Sequence, residues 1–287
     1  MKELLLLSGK GGTGKTSVAG SFATLAKNAV LVDCDVDAAD LHLITHCKIG
    51  TENEFRASRK AFIDQSRCSD CGRCAAACRF EAIRARTVDK ISCEGCGLCA
   101  RVCPEDAIKM VEVVSGYWYQ SDTPYGPLIH ARLLAGEGNS GKLVSLLRER
   151  AREVAEATGR DMILLDGPPG IGCPVMASAA GVSMVLIVIE PTVSGFNDFR
   201  RVLEVCRHFG VKTAACINKV DLDEKISEQI ERRCEKEGIR VLGRIPIDHD
   251  VTRAMVQKMT VVEYSDGPAA KEIQSMWKRI QEEMANV

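Results

Sequence analysis

The chain has 287 residues, enough for a large α/β core with or without a small added module. With 38 basic residues against 39 acidic ones the formal charge is −1, which argues against nucleic acid or a membrane surface as a partner. The 14 cysteines are the outlier. The opening MKELLLLSGKGG carries too short an apolar run for a secretory segment, and MVLIVI (184–189) is far short of a membrane span. A cytoplasmic setting is therefore expected, where clustered thiols bind metal rather than pair.

In chain order, ELLLLS (3–8) predicts a buried strand, and GKGGTGKT (9–16) follows it directly and opens a helix over 15–27. This spacing fits G-x-x-x-x-G-K-[ST], a loop whose backbone N–H groups wrap phosphates at a helix N-terminus. Gly9, Gly11, Gly12, Thr13, Gly14, Lys15, Thr16 and Ser17 are the candidate nucleotide-binding run. Lys15 would reach the β- and γ-phosphates, and the Thr16 hydroxyl would bind Mg²⁺. AVLVDC (29–34) predicts a second strand, ending in the acidic turn DCDVDAAD (33–40). TENEFRASRK (51–60) reads as a polar loop.

An internal repeat then breaks the strand–helix alternation, between about Thr51 and Met110. Cys68, Cys71, Cys74 and Cys78 are spaced C-x₂-C-x₂-C-x₃-C, and Cys93, Cys96, Cys99 and Cys103 repeat the spacing 25 residues on (93 − 68 = 25). Residues 111–140 read as strands and turns leading back to the main sheet, with Asn139 or Ser140 capping a helix over 141–158. DMILLD (161–166), SMVLIVIE (183–190), TAACIN (213–218) and RVLGRI (240–245) predict further strands, with helices over 197–208 and 223–236 between them. The alternation implies a parallel sheet covered on both faces. The last helix has Ile273, Met276, Trp277, Ile280 and Met284 on one side and mixed charge elsewhere, as expected of a helix docked on the sheet rather than on a membrane.

K-G-G-x-G-K-T (10–16) resembles the deviant Walker A motif of the MinD/ParA ATPases, a family that includes the nitrogenase iron protein and is related to the Mrp-type ATPases. The resemblance implies an ATP-hydrolysing P-loop fold and an ATP-sandwich homodimer in which Lys10 reaches the nucleotide of a second copy. It implies that Asp35 orients the attacking water and that Asp33 supports the strand end. Asp166, in ILLDGPPG (163–170), would hold Mg²⁺ through water, with Gly167 to Gly170 as a switch. In INKVD (217–221) Asn218 would read the adenine edge; Asp221 completes a string that also suits guanine, but the phosphate loop favours ATP. Pro246, in IPID, matches the adenine-side loop.

The cysteine repeat matches the bacterial two-cluster ferredoxin pattern, in which the fourth cysteine of each run serves the other cluster. This implies one [4Fe–4S] cluster on Cys68, Cys71, Cys74 and Cys103, and a second on Cys93, Cys96, Cys99 and Cys78. Two structural zinc sites are the alternative. Pro104 follows the second run as the pattern requires, but Arg79 stands in its place after the first. The whole resembles a MinD-superfamily P-loop ATPase over 1–54 and 111–287 with an inserted ferredoxin domain over 55–110.

Six cysteines lie outside the repeat. Cys34, Cys47, Cys206, Cys216 and Cys234 are expected to pack as small apolar groups. Cys173, just past the PPG switch, either packs or ligates a bridging cluster. His42 and His46 are expected to be a core or surface pair, and GYWYQ (116–120) a packed strand. The implied function is an ATPase coupled to electron transfer or metallocluster handling with a partner protein. The alternative is a redox-sensing switch that regulates or positions a partner without delivering electrons.

Overall fold

The structure, a computed structural model, describes residues 1–138 and 140–285. Its elements in chain order are β1 (Lys2–Ser8), α1 (Lys15–Leu25), β2 (Ala29–Asp33), α2 (Leu41–Ile44), β3 (Lys48–Phe55), β4 (Ser58–Ile63), α3 (Arg73–Ala77), β5 (Ile83–Arg84), β6 (Thr87–Val88), α4 (Leu98–Arg101), β7 (Ile108–Val113), β8 (Gly116–Thr123) and β9 (Gly126–Leu133). They continue with α5 (Ser140–Thr158), β10 (Met162–Pro169), α6 (Cys173–Ala179), β11 (Met184–Ile189), α7 (Val193–His208), β12 (Lys212–Asn218), α8 (Glu224–Lys236), β13 (Arg240–Ile245), α9 (His249–Val256), α10 (Val261–Tyr264) and α11 (Pro268–Ala285). Capping by Asn139 lies outside the described residues.

The chain forms two compact units: Met1–Glu52 with Tyr119–Ala131 and Ser140–Val287, and Asn53–Trp118 with Arg132–Asn139. The second is wider than the cysteine repeat marks out. Among the described residues the principal sheet has nine strands, in the order β13-β12-β11-β1-β10-β2-β9-β8-β3, and the pairs from β13 to β9 are parallel. The central strands are apolar along their length because both faces are covered: Leu4 to Leu7, Ile163 to Leu165 and Met184 to Ile189 are all buried. The last helix docks as the sequence predicts, with Ile273, Met276, Trp277, Ile280 and Met284 in the core and the Trp277 ring 5.0 Å from that of Phe22.

TENEFRASRK is not a loop: its first half completes β3 and its second half opens β4. β3 closes the edge of the sheet and is exposed along most of its length, so it carries no apolar alternation to betray it.

The second unit folds around the repeat. Asp64 N–H donates to the Ala107 carbonyl and Asp89 N–H to that of Ala82, both at 2.8 Å. The Asp64 and Asp89 carbonyls in turn accept the N–H of Cys68 (3.1 Å) and Cys93 (3.0 Å). Each half then turns through a glycine in the left-handed region, Gly72 or Gly97, into its short helix α3 or α4. A small core of Ala61, Ile63, Ala82, Ile83 and Ile108 joins the halves.

Candidate nucleotide and cysteine sites

The phosphate loop lies where strand order turns about β1, at the carboxyl ends of the parallel strands, the usual ligand position in such sheets. Gly14 precedes α1 at φ 87°, and a Cβ there would fall 2.3 Å from Asn218 Nδ2. Only glycine serves at this position. Asn218 uses its amide to donate to the Thr13 carbonyl at 2.7 Å, while its Oδ1 accepts the Lys219 N–H. It therefore braces the loop. The Lys219 ammonium adds a 3.3 Å bond to the Gly12 carbonyl. Pro246 follows β13, and the next residue, Ile247, donates its N–H to Asp221 Oδ1 at 2.7 Å, tying together the loops that follow β12 and β13.

Parallel pairing sets Asp166 of β10 beside Asp33 of β2, both fully buried. Lys15 Nζ contacts Asp166 Oδ1 at 2.7 Å. Burial opposes the lysine charge, but Asp166, with Asp33 and Asp35 behind it, holds the ammonium above the usual lysine range. Asp33 accepts the N–H groups of Asp35, Asp40 and Leu41 and so shapes the acidic turn. Burial, then the Asp166 charge, push Asp33 well above the ordinary carboxylate range. Asp35 and Asp40 are also raised, by burial first and by Asp166 despite Lys15. The Thr16 side chain beside Asp40 works against that rise, a proximity the sequence did not suggest. Two buried oxygens here, Asp166 Oδ2 and Thr13 Oγ1, have no hydrogen-bond partner. A pocket with four aspartates around one lysine suits a divalent cation and the phosphates it accompanies.

Lys10 points away from its own loop. Its ammonium pairs with Glu190 at 2.7 Å and bonds the Thr192 and Ser194 hydroxyls at 3.1 and 3.3 Å. Glu190 also holds Lys219 at 2.6 Å. Burial works against the Glu190 charge, but these two lysines keep its carboxyl below the usual range. Ser17 Oγ lies 3.6 Å from Met255 Sδ.

In the second unit the eight repeat cysteines sort into two sets. Cys68, Cys71, Cys74 and Cys103 line one cavity, with Ile63, Ala107 and Ile108. Cys78, Cys93, Cys96 and Cys99 line another, with Ala61, Phe80 and Met110. Burial raises the Cys74 thiol, with Cys68 and Cys103 adding to it. Burial likewise raises Cys99, with Cys93, Cys96 and Cys78 adding to it. All 14 cysteines are free thiols. Among the described residues no group of three or more His, Cys, Asp or Glu side chains is gathered for a single metal ion.

Outside the sites, Cys34, Cys206, Cys216 and Cys234 are buried as expected. Burial pushes Cys34 and Cys234 up to about 12 and Cys206 to about 11. Cys47 is half-buried, and Cys173 is exposed at the start of α6. His42 stacks on the buried His130 at 5.3 Å, and Tyr119 stacks on the same His130 ring at 5.0 Å. His46 pairs instead with Glu263 at 3.2 Å. No helix among the described residues is long and apolar enough to cross a membrane.

Comparison with known proteins places this geometry. An uncharacterized protein of Methanocaldococcus jannaschii is 31% identical over 283 residues, covering 98% of this chain and 96% of that one. An iron–sulfur cluster carrier protein of Pyrococcus abyssi is 28% identical over 125 residues, only 39% of this chain and 42% of its own length. The cell division ATPase MinD of Pyrococcus furiosus superposes with a TM-score of 0.57 at 18% identity over 98% of each chain, a likeness of fold. Residues 4–261 match the CobQ/CobB/MinD/ParA nucleotide binding domain. With its phosphate loop, paired strand-end aspartates and sheet order all in place, the chain belongs to that nucleotide-binding family.

Proposed function

We propose that this protein hydrolyses ATP and carries two [4Fe–4S] clusters, coupling a nucleotide-driven homodimer switch to electron transfer or metallocluster handling with a partner protein. The observation that carries the reading is the sorting of eight cysteines into two four-thiol cavities, each completed by the last cysteine of the other run. The donor sets are soft, all-sulfur and set in apolar walls, which suits iron–sulfur ligation. Cys68, Cys71, Cys74 and Cys103 would hold one cluster, and Cys93, Cys96, Cys99 and Cys78 the other. When bound, such clusters supply one-electron chemistry.

For the nucleotide, the loop N–H groups and Lys15 would bind phosphate, and Thr16 and Asp166 would serve Mg²⁺. Lys15, paired with Asp166 in the free chain, would exchange that carboxylate for phosphate oxygens and so release it for the cation. Asp35 would orient the attacking water. The chain leaves the nucleotide unit at Glu52, shortly after the acidic turn that carries Asp35. Loops of this kind order around a γ-phosphate and relax on hydrolysis.

The test uses anaerobically purified full chain. Iron and acid-labile sulfide are counted, and ATP hydrolysis is measured with the protein oxidised and then reduced by dithionite. Iron and sulfide matching two [4Fe–4S] clusters, with a rate that depends on redox state, are expected. A chain purified without iron sinks the cluster reading. Equal rates in both states sink the coupling in the isolated protein and leave an ATPase with independent clusters.

A further inference from the structure

Beside the Cys93 cavity lies one ion pair closed to solvent. Lys60, on β4, is buried at 4% exposure, and its ammonium donates to the Cys93 carbonyl at 2.8 Å. Its counter-ion is Glu137, whose Oε1 lies 3.1 Å away. The pair is closed to solvent, with side-chain exposures of 6% and 9%, and Glu137 Oε2 is buried without a hydrogen-bond partner. A surface ion pair would be screened by water; this one is not.

The packing that places it is tight. A Cβ at Gly95 would fall 2.1 Å from the Arg59 carbonyl, so the loop from Cys93 to Cys96 runs directly against β4 next to Lys60. Cys93 and Cys99 are also the most buried of the repeat cysteines, each at 9% exposure. The other half of the repeat has no equivalent. The 25-residue offset puts Ala85 at the position of Lys60 (60 + 25 = 85). Charged residues at the first cavity, such as Asp70 and Arg86, are exposed, where solvent screens them.

We propose that the buried Lys60–Glu137 pair, with its positive end bonded to Cys93, sets the two clusters apart in potential and makes the Cys93 cluster the more readily reduced. The inference rests on the two-cluster reading above. Reduction adds one electron and hence one negative charge to a cluster. A fixed cation in a low-dielectric wall favours that state, and the carboxylate behind it opposes it. Lys60 and Glu137 are thus positioning residues that act on the potential with opposite sign. Electrons supplied by a reductant would collect on the Cys93 cluster, and the Cys68 cluster, once reduced, would be the stronger donor.

The test is a potentiometric titration with dithionite, followed by EPR, on the anaerobic full chain and on Lys60→Met and Glu137→Gln. The wild type is expected to show two separated one-electron steps. Lys60→Met should lower the higher step by at least tenfold in the reduction equilibrium, ~59 mV for a one-electron couple. Glu137→Gln should raise that same step, and neither variant should move the lower one. A merely structural role would shift both variants in the same direction, and that result overturns the proposal. So does a full iron content with unmoved potentials. Absence of iron from the wild type overturns the two-cluster reading itself. If Lys60→Met fails to accumulate, Glu137→Gln alone decides by the sign of its shift.

Discussion

Four aspartates share one ammonium at the nucleotide site, and the roles of the single residues follow from how each is held. Asp33 is spent on three backbone N–H groups and Asp166 on Lys15, whereas the Asp35 carboxylate has the Ala38 N–H beside it. Asp35 is half-buried and can take a water, and in Asp35→Ala the Ala38 N–H keeps its 3.1 Å bond to the main-chain carbonyl at that position. Hydrolysis of ATP by that variant is expected to fall by about 10²-fold or more, while ATP retention on a filter stays near the wild-type level. Loss of binding in parallel with hydrolysis would instead make Asp35 part of the cation site. Asp35, Asp166 and the glycine loop are legible in the sequence because backbone geometry ties each to a neighbouring strand end. Asp40 beside Thr16, Glu190 as the holder of Lys10 and Lys219, and Lys60 beside Cys93 are not. Each depends on a contact between segments far apart in sequence, and no local spacing encodes it.

Secondary-structure elements show the same division. Central strands are legible because they are buried on both faces and read as continuous apolar runs; β3, exposed at the sheet edge, reads as a loop. β9 adds something periodicity does not reveal, a histidine buried between two rings. His130 is stacked between His42 and Tyr119, lies 3.0 Å from Ser121 Oγ, and is lowered to about 4 by burial and then by the nearby His42 charge. Burial also lowers His42, against the pull of Asp40. The folded pKa of His130 thus lies below the unfolded value of 6.5. Between those values the unfolded chain binds a proton that the folded chain does not, so stability is lost as pH falls from 6.5 toward 4. The limiting slope is about 1.4 kcal/mol per pH unit. Urea midpoints of the wild type and His130→Gln, compared across that window, should converge as pH falls. Parallel pH curves would mean that the ring titrates normally in the fold.

At the scale of the whole molecule the open question is assembly, which neither periodicity nor spacing encodes. Lys10 is the residue through which a second copy enters the argument. Within one chain it is satisfied by Glu190, Thr192 and Ser194, so reaching the phosphates of another copy means giving up that ion pair. Bound ATP offers a stronger anion in exchange. Nearby apolar groups are left in solvent: Ile171, Met176 and Val193 are 36%, 43% and 71% exposed. Burying them against a second copy would give a two-fold interface its apolar centre. Sedimentation of Asp35→Ala with ATP and Mg²⁺ is therefore expected to show a species of twice the monomer mass, and the nucleotide-free protein a monomer. Lys10→Ala in the same background should stay monomeric while still retaining ATP, because Lys15 and the loop N–H groups bind in cis. If Lys10→Ala dimerises as readily as its parent, Lys10 belongs to its own chain and the Glu190 pair is its permanent place. If instead it loses ATP altogether, Lys10 works on the nucleotide of its own loop. Only a variant that binds ATP and fails to pair shows that the second lysine of the loop works across the interface.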